Sequence, residues 1–191
     1  MLKLYRKEQD GSLSYAEYWI DHDEAIIHCG KVGYQGHTER IEDYLSKFAG
    51  EEEFKAGFIK RFLPQGFNEI TQQDTYWILV QYPLKSLQGS KRDLWLKDRA
   101  TDVLNVELGW KGLGHVDGFD MGRTSNPDKQ FALNIFCIVV DEEKSIAVIK
   151  SALRKYGCDY TKIKIASRPA SDNTIYTLKY SAKKNDFRFF I

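Results

Sequence analysis

The sequence predicts an α+β chain of two modules, the first a small antiparallel sheet with one helix, the second running β-α-β-β-α-β. Three observations predict this. Short aromatic and β-branched runs separated by turn residues fill the first seventy residues. One helical pattern, Phe54, Phe58 and Phe62, closes them. After residue 72, strand-like runs alternate with two longer helical patterns.

In the first module, Leu2 to Arg6 reads as a strand, and Asp10-Gly11 as the turn of a hairpin. Tyr15 to Ile20 is the partner strand, and Asp21-His22-Asp23 turns it into Ala25–Val32. A fourth short strand is expected around Thr38–Ile41. Residues Glu51 to Leu63 then form a helix. Its three phenylalanines recur every four residues, and Glu51-Glu52-Glu53 occupies the first turn, where the helix dipole favours acid. Pro64 and Gly66 end it.

A polar stretch, Thr71-Gln-Gln-Asp74, divides the modules, giving domains at 1–72 and 73–191. Thr75 to Tyr82 opens the second module as a strand. Ser90 with Asp93 forms a capping-box-like start for a helix carrying Leu96, Ala100, Val103 and Leu104 on one face. Gly109 to Gly122 is expected to hold a short, irregular strand, and Phe131 to Val140 is the most apolar strand of the chain. Asp141 caps a second helix with Ile146, Ile149, Leu153 and Tyr156 at helical spacing, closed by Gly157. Tyr160–Ile165 and Thr174–Tyr180 are read as strands joined by a turn around Pro169 and Asn173. This order predicts a ferredoxin-like α/β sandwich, with both helices on one face of an antiparallel sheet. Trp95 and Trp110 are expected in a core or between modules. The closing Asp186-Phe-Arg-Phe-Phe-Ile191 should be docked, against its own domain or another chain.

Composition narrows the function. The chain has 191 residues, 14% of them aromatic, enough to fill a sizeable core. No run approaches the ~18 apolar residues of a membrane span, and the first residues lack a signal-peptide core, so a cytoplasmic protein is expected. Cys29, Cys137 and Cys158 are odd in number and widely spaced, which argues for reduced thiols and against a disulfide framework or a structural zinc. Residues 1–72 carry 9 Lys/Arg against 13 Asp/Glu, whereas 73–191 carry 19 against 14. An excess of carboxylates weakens general attraction to a polyanion, so the first module is a poor non-specific nucleic-acid binder.

Two segments are candidate sites. Cys29-Gly-Lys-Val-Gly33 followed by Gln35-Gly36 is a strand breaking into a glycine-built turn, expected to present His28, Lys31, Tyr34 and Gln35 together. The competing reading is a solvated hairpin tip. Gly112–Gly122 brings His115, Asp117 and Asp120 close in sequence, with His115 and Asp117 the binding candidates. It follows a helix and enters a strand, the reverse of a phosphate-binding loop, so the plain reading is a glycine-rich, bulged edge strand. Neither segment implies a metal or cofactor, and no catalytic signature is present.

The first module resembles the WGR domain, a module of DNA-damage-responsive poly(ADP-ribose) polymerases and of many bacterial proteins. The resemblance rests on Tyr18-Trp19, Cys29-Gly30-Lys31-Val32-Gly33, Gln35-Gly36, the helix with Phe54 and Phe58, and Gly66-Phe67. It covers little more than a third of the chain. Cys29 stands where the motif has tryptophan, and Lys31 where it has arginine. In the polymerases those two residues engage a DNA end. Cysteine cannot stack on a base, and lysine lacks the bidentate fork. The resemblance therefore implies the fold more strongly than it implies DNA as the ligand. The expectation is a non-catalytic binding protein, its partner a protein ahead of nucleic acid. An immunity-type inhibitor that neutralises a toxin, or a DNA-binding WGR protein, is the alternative.

Overall fold

The computed structural model describes residues 1–128, 130–172 and 175–191. Their secondary structure is mixed α+β, with two antiparallel sheets of four and five strands and four α-helices. The chain divides into two units, Met1–Thr71 with Trp110–Gly112, and Gln72–Gly109 with Leu113–Ile191. Three residues read from the sequence as part of the second module thus pack with the first.

The first sheet is a meander, β1 (Leu2–Lys7), β2 (Leu13–Asp21), β3 (Glu24–Lys31) and β4 (His37–Ile41), in that spatial order. Gly11 turns β1 into β2 at φ 80°, and His22 turns β2 into β3 at φ 54°. Alternation then separates two faces. Leu4, Ala16, Tyr18, Ala25 and Ile27 point one way and pack against Phe54, Phe58 and Phe62 of α2 (Glu51–Phe62). Tyr18 meets Phe54 and Phe58 at ring-centroid distances of 5.2 and 5.1 Å. A short helix that the sequence reading missed, α1 (Tyr44–Lys47), brings Tyr44 into this core. Its start at Asp43, in the left-handed region without a side-chain cap, carries no capping signal.

The second sheet has the order β6 (Gly114–Arg123), β7 (Phe131–Val139), β5 (Tyr76–Leu84), β8 (Lys164–Pro169), β9 (Thr177–Ser181), with every pairing antiparallel. Leu133, Ile135, Cys137 and Val139 alternate as a fully buried row on β7. The helices are α3 (Lys91–Gly109) and α4 (Glu142–Lys155). Both Ser90 and Asp93 bond each other's backbone N–H, completing the reciprocal cap at the start of α3. Asp141 accepts from Lys144 N at 3.0 Å and pairs with Lys144 Nζ at 2.7 Å. Asp141→Ala is expected to cost about 1 kcal/mol, read as a lower denaturation midpoint with unchanged slope.

Three expectations are corrected. The strand read at Tyr160–Ile165 begins at Lys164, because Asp159, at φ 45°, winds Tyr160–Lys162 into a 3₁₀ turn held by its own side chain to Thr161. The strand after α3 is the bulged edge strand that its glycines predict, with the bulge between Val116 and Gly118, but at ten residues it is longer than the short strand expected. Trp95 is 55% exposed on α3 rather than in a core. Asn173 of the expected turn, and Thr174 at the start of the expected last strand, lie outside the described residues.

The final segment docks on its own unit through its backbone. Ser125 N donates to Ile191 O, Gln81 Nε2 to Phe190 O and Lys164 Nζ to Arg188 O. Phe187 nevertheless points into solvent. No helix among the described residues is long and apolar enough to cross a membrane.

Candidate recognition site

The face of the first sheet that α2 leaves uncovered is polar. The register sets Lys3 opposite Glu17, and Glu17 opposite His28. These three join into a chain. Lys3 Nζ lies 2.9 Å from Glu17 Oε2, and Glu17 Oε1 lies 2.8 Å from His28 Nδ1. His28 Nε2 then lies 3.0 Å from the Tyr15 hydroxyl. The Tyr15 hydroxyl also donates to Trp110 O at 3.3 Å.

Proton counting constrains this chain. With the imidazole charged, Glu17 accepts from Nδ1, and Tyr15 accepts from Nε2 while donating to Trp110 O. With a neutral imidazole, the single Tyr15 proton serves His28 or Trp110, not both. Burial pushes the Glu17 carboxyl up, but the bonds from His28 and Lys3 outweigh it and hold the group below the usual glutamate range. Burial drives the Tyr15 hydroxyl well above its ordinary value.

Trp110–Gly112 lies across this face. Tyr5 donates to Gly112 O at 3.1 Å. Trp110 meets His28 edge-on at 4.9 Å and Trp19 at 6.0 Å. Gly112, at φ 63°, sits so close to the Tyr15 ring that no Cβ fits.

The turn after β3 rests on this buried chain. Val32 is fully buried and bonds Leu13 O through its N–H. Gly33, at φ 93°, donates to Lys111 O at 2.8 Å. A Cβ on Gly36 would enter the Tyr15 hydroxyl and lie 2.5 Å from the Cys29 carbonyl oxygen and 2.6 Å from His28 Nε2. Above these anchors stand Tyr34, 62% exposed, with Gln35 and Lys31. Lys31 reaches Asp10 Oδ2 of the neighbouring turn at 3.1 Å.

His28 is therefore not part of the exposed tip. It is 1% exposed, because the strand's alternation turns it onto the face that Trp110 covers. Its place is beneath the turn, and the surface that remains is Lys31, Tyr34 and Gln35. Cys29 alternates to the other face and is half-buried there, its thiol pushed up to about 11 by burial, which keeps it protonated and poorly nucleophilic.

On β6, His115 and Asp117 are both exposed, far along the chain from the turn, and Asp120 bonds Asn134 instead. Among the described residues no three His, Cys, Asp or Glu side chains gather as a metal site.

Sequence reading gave Tyr15 and Glu17 no part in the site. The signal was present, since the two-residue turn at His22–Asp23 fixes the register that sets Glu17 opposite His28. Trp110 carried no such signal, being placed by tertiary structure alone. The chain matches no family model, no curated protein and no solved structure.

Proposed function

We propose that this chain is a non-catalytic binding protein that recognises a protein partner through the Lys31–Gly36 turn of a WGR-like first module, beside a ferredoxin-like second module. A meander of four strands with one long helix on a single face supports the first assignment. Strand–helix–strand–strand–helix–strand order, with β6-β7-β5-β8 adjacent and β9 added at the edge, supports the second.

The observation that carries the function is Tyr34. An exposed aromatic on a turn whose backbone is fixed from beneath offers contact area without the entropy of ordering a loop. A protein suits it better than nucleic acid. The Lys31 charge is already answered by Asp10, and the residues up to 72 carry more acid than base.

Two measurements test this. A photo-crosslinking amino acid at position 34 is expected to yield one discrete protein adduct in cells, lost when Lys31→Glu and Gln35→Ala are added. The same probe at exposed Phe187 should yield none of that adduct. Separately, the chain is titrated with nicked, blunt and single-stranded DNA over a salt series. Salt-sensitive binding abolished by Lys31→Glu would replace the protein by nucleic acid, and silence in both experiments would remove the turn as a recognition site.

A further inference from the structure

The second unit contains a cavity of about 290 Å³ at one end of its sheet, remote in sequence from the turn. Its walls come from five places. Gln81, Pro83 and Leu84 lie at the end of β5, and Phe131 and Ala132 at the start of β7. Thr124 and Gln130 belong to the β6–β7 connection, joined by Thr124 N to Gln130 O at 2.9 Å. Lys162 and Lys164 enter from the 3₁₀ turn before β8 and the first residue of that strand, and Ser181, Lys183 and Asp186 from the end of β9 and the segment that follows it.

Charge is the informative property. Among the described residues, three lysines and one carboxylate line the space, an excess of two positive charges. Asp186 answers Lys164 at 2.9 Å, and that bond from Lys164 holds its carboxyl below the usual range despite partial burial, so it stays ionised near neutrality. Lys162 lies 3.4 Å from Asp159, which it shares with Arg92 at 3.2 Å. Among the described residues Lys183 has no ion-pair partner. Like charges gathered on a concave surface raise its potential and draw a counter-charge. Two segments of the chain, the start of β8 with the 3₁₀ turn before it and the turn after β9, bring these lysines to one space.

The same space also has apolar lining, from Phe131, Leu84 and Pro83. The volume sits at the lower edge of the ~300–1,000 Å³ range of small-molecule sites, which selects a compact ligand. We propose that this cavity binds a small organic phosphate monoester, its dianion between Lys162, Lys164 and Lys183 and its carbon portion against Phe131 and Leu84. The two negative charges match the excess, and lysine serves phosphate as a point charge.

The probe is phenyl phosphate, titrated into the full chain by calorimetry and followed in backbone amide spectra. Saturable binding is expected, with shifts centred on Thr124, Phe131 and Lys183. Inorganic phosphate should bind about tenfold more weakly for want of the ring contact, and benzyl alcohol not measurably. Lys183→Gln and Lys162→Gln should each weaken phenyl phosphate about tenfold, whereas Lys183→Arg retains it. Both positions are exposed, so the variants keep the fold. Affinity should rise between pH 5 and 7.5, as the ligand passes its second ionisation near 6. A dinucleotide with a 5′-phosphate, compared with its 5′-hydroxyl form and with phenyl phosphate, separates a nucleic-acid terminus from a free metabolite as the source of the same group. Absence of saturable binding, shifts that map elsewhere, or indifference to both glutamine variants would overturn the assignment.

Discussion

Glu17→Ala is expected to destabilise the first unit by about 3–5 kcal/mol, the usual cost of removing one partner from a buried charged network. The carboxylate joins Lys3 at 2.9 Å and His28 at 2.8 Å, and His28 is almost fully enclosed. Without Glu17, the imidazole Nδ1 has lost its acceptor, and neither it nor the lysine can recover water cheaply. The measurement is hydrogen exchange at the β2 and β3 amides, which isolates this unit from the rest of the chain. The same group sets a pH dependence. Its folded-state pKa lies below its unfolded value, so its contribution is fully present above the ordinary glutamate range. It is lost as pH falls from about 4.3 through the folded value. Glu17→Gln should flatten that part of the acid limb while lowering stability at neutrality. An unchanged acid limb would show that other carboxylates govern it.

Gly36→Ala is expected to cost about 3 kcal/mol, at the upper end for overpacking, because backbone lies on one side and a locked hydroxyl on the other. The added carbon meets the Tyr15 hydroxyl, the Cys29 carbonyl and the His28 ring, none of them the loose end of a flexible chain. Relief requires the turn to lift, which would carry Tyr34 with it. Gly57 of α2 is the control, since a Cβ there meets open space and Gly57→Ala should stabilise by about 0.5–1 kcal/mol. Chemical denaturation of the two variants, compared with the parent, reads both effects. Equal midpoints for Gly36→Ala and the parent would mean that the turn is not braced by the chain beneath it.

How much of this was legible beforehand differs by element. The α2 core was readable, since three phenylalanines four residues apart on a segment with acid at its start satisfy periodicity and dipole together. The caps at Ser90 and Asp141 were readable for the same reason, because the chemistry is local. Asp159 shows the limit. A β-branched run after it resembles a strand, yet its short side chain captures Thr161 and bends the first three residues into a turn. In the candidate site, the glycines and the exposed Tyr34 were visible. The polar chain beneath was readable only once the strand register had been fixed. Trp110 over His28 was beyond sequence reading, because nothing local marks a contact between residues more than eighty positions apart.

Because the first unit borrows Trp110, Lys111 and Gly112 from far downstream, its completion is tied to the order of synthesis. A nascent chain that has emerged only as far as Thr71 lacks the carbonyls that receive Tyr5 and Tyr15, and leaves Gly33 without its acceptor. β5 and all of α3 must leave the ribosome before those bonds can close. The helix side of the sheet can thus consolidate early, while the polar side waits for some forty further residues.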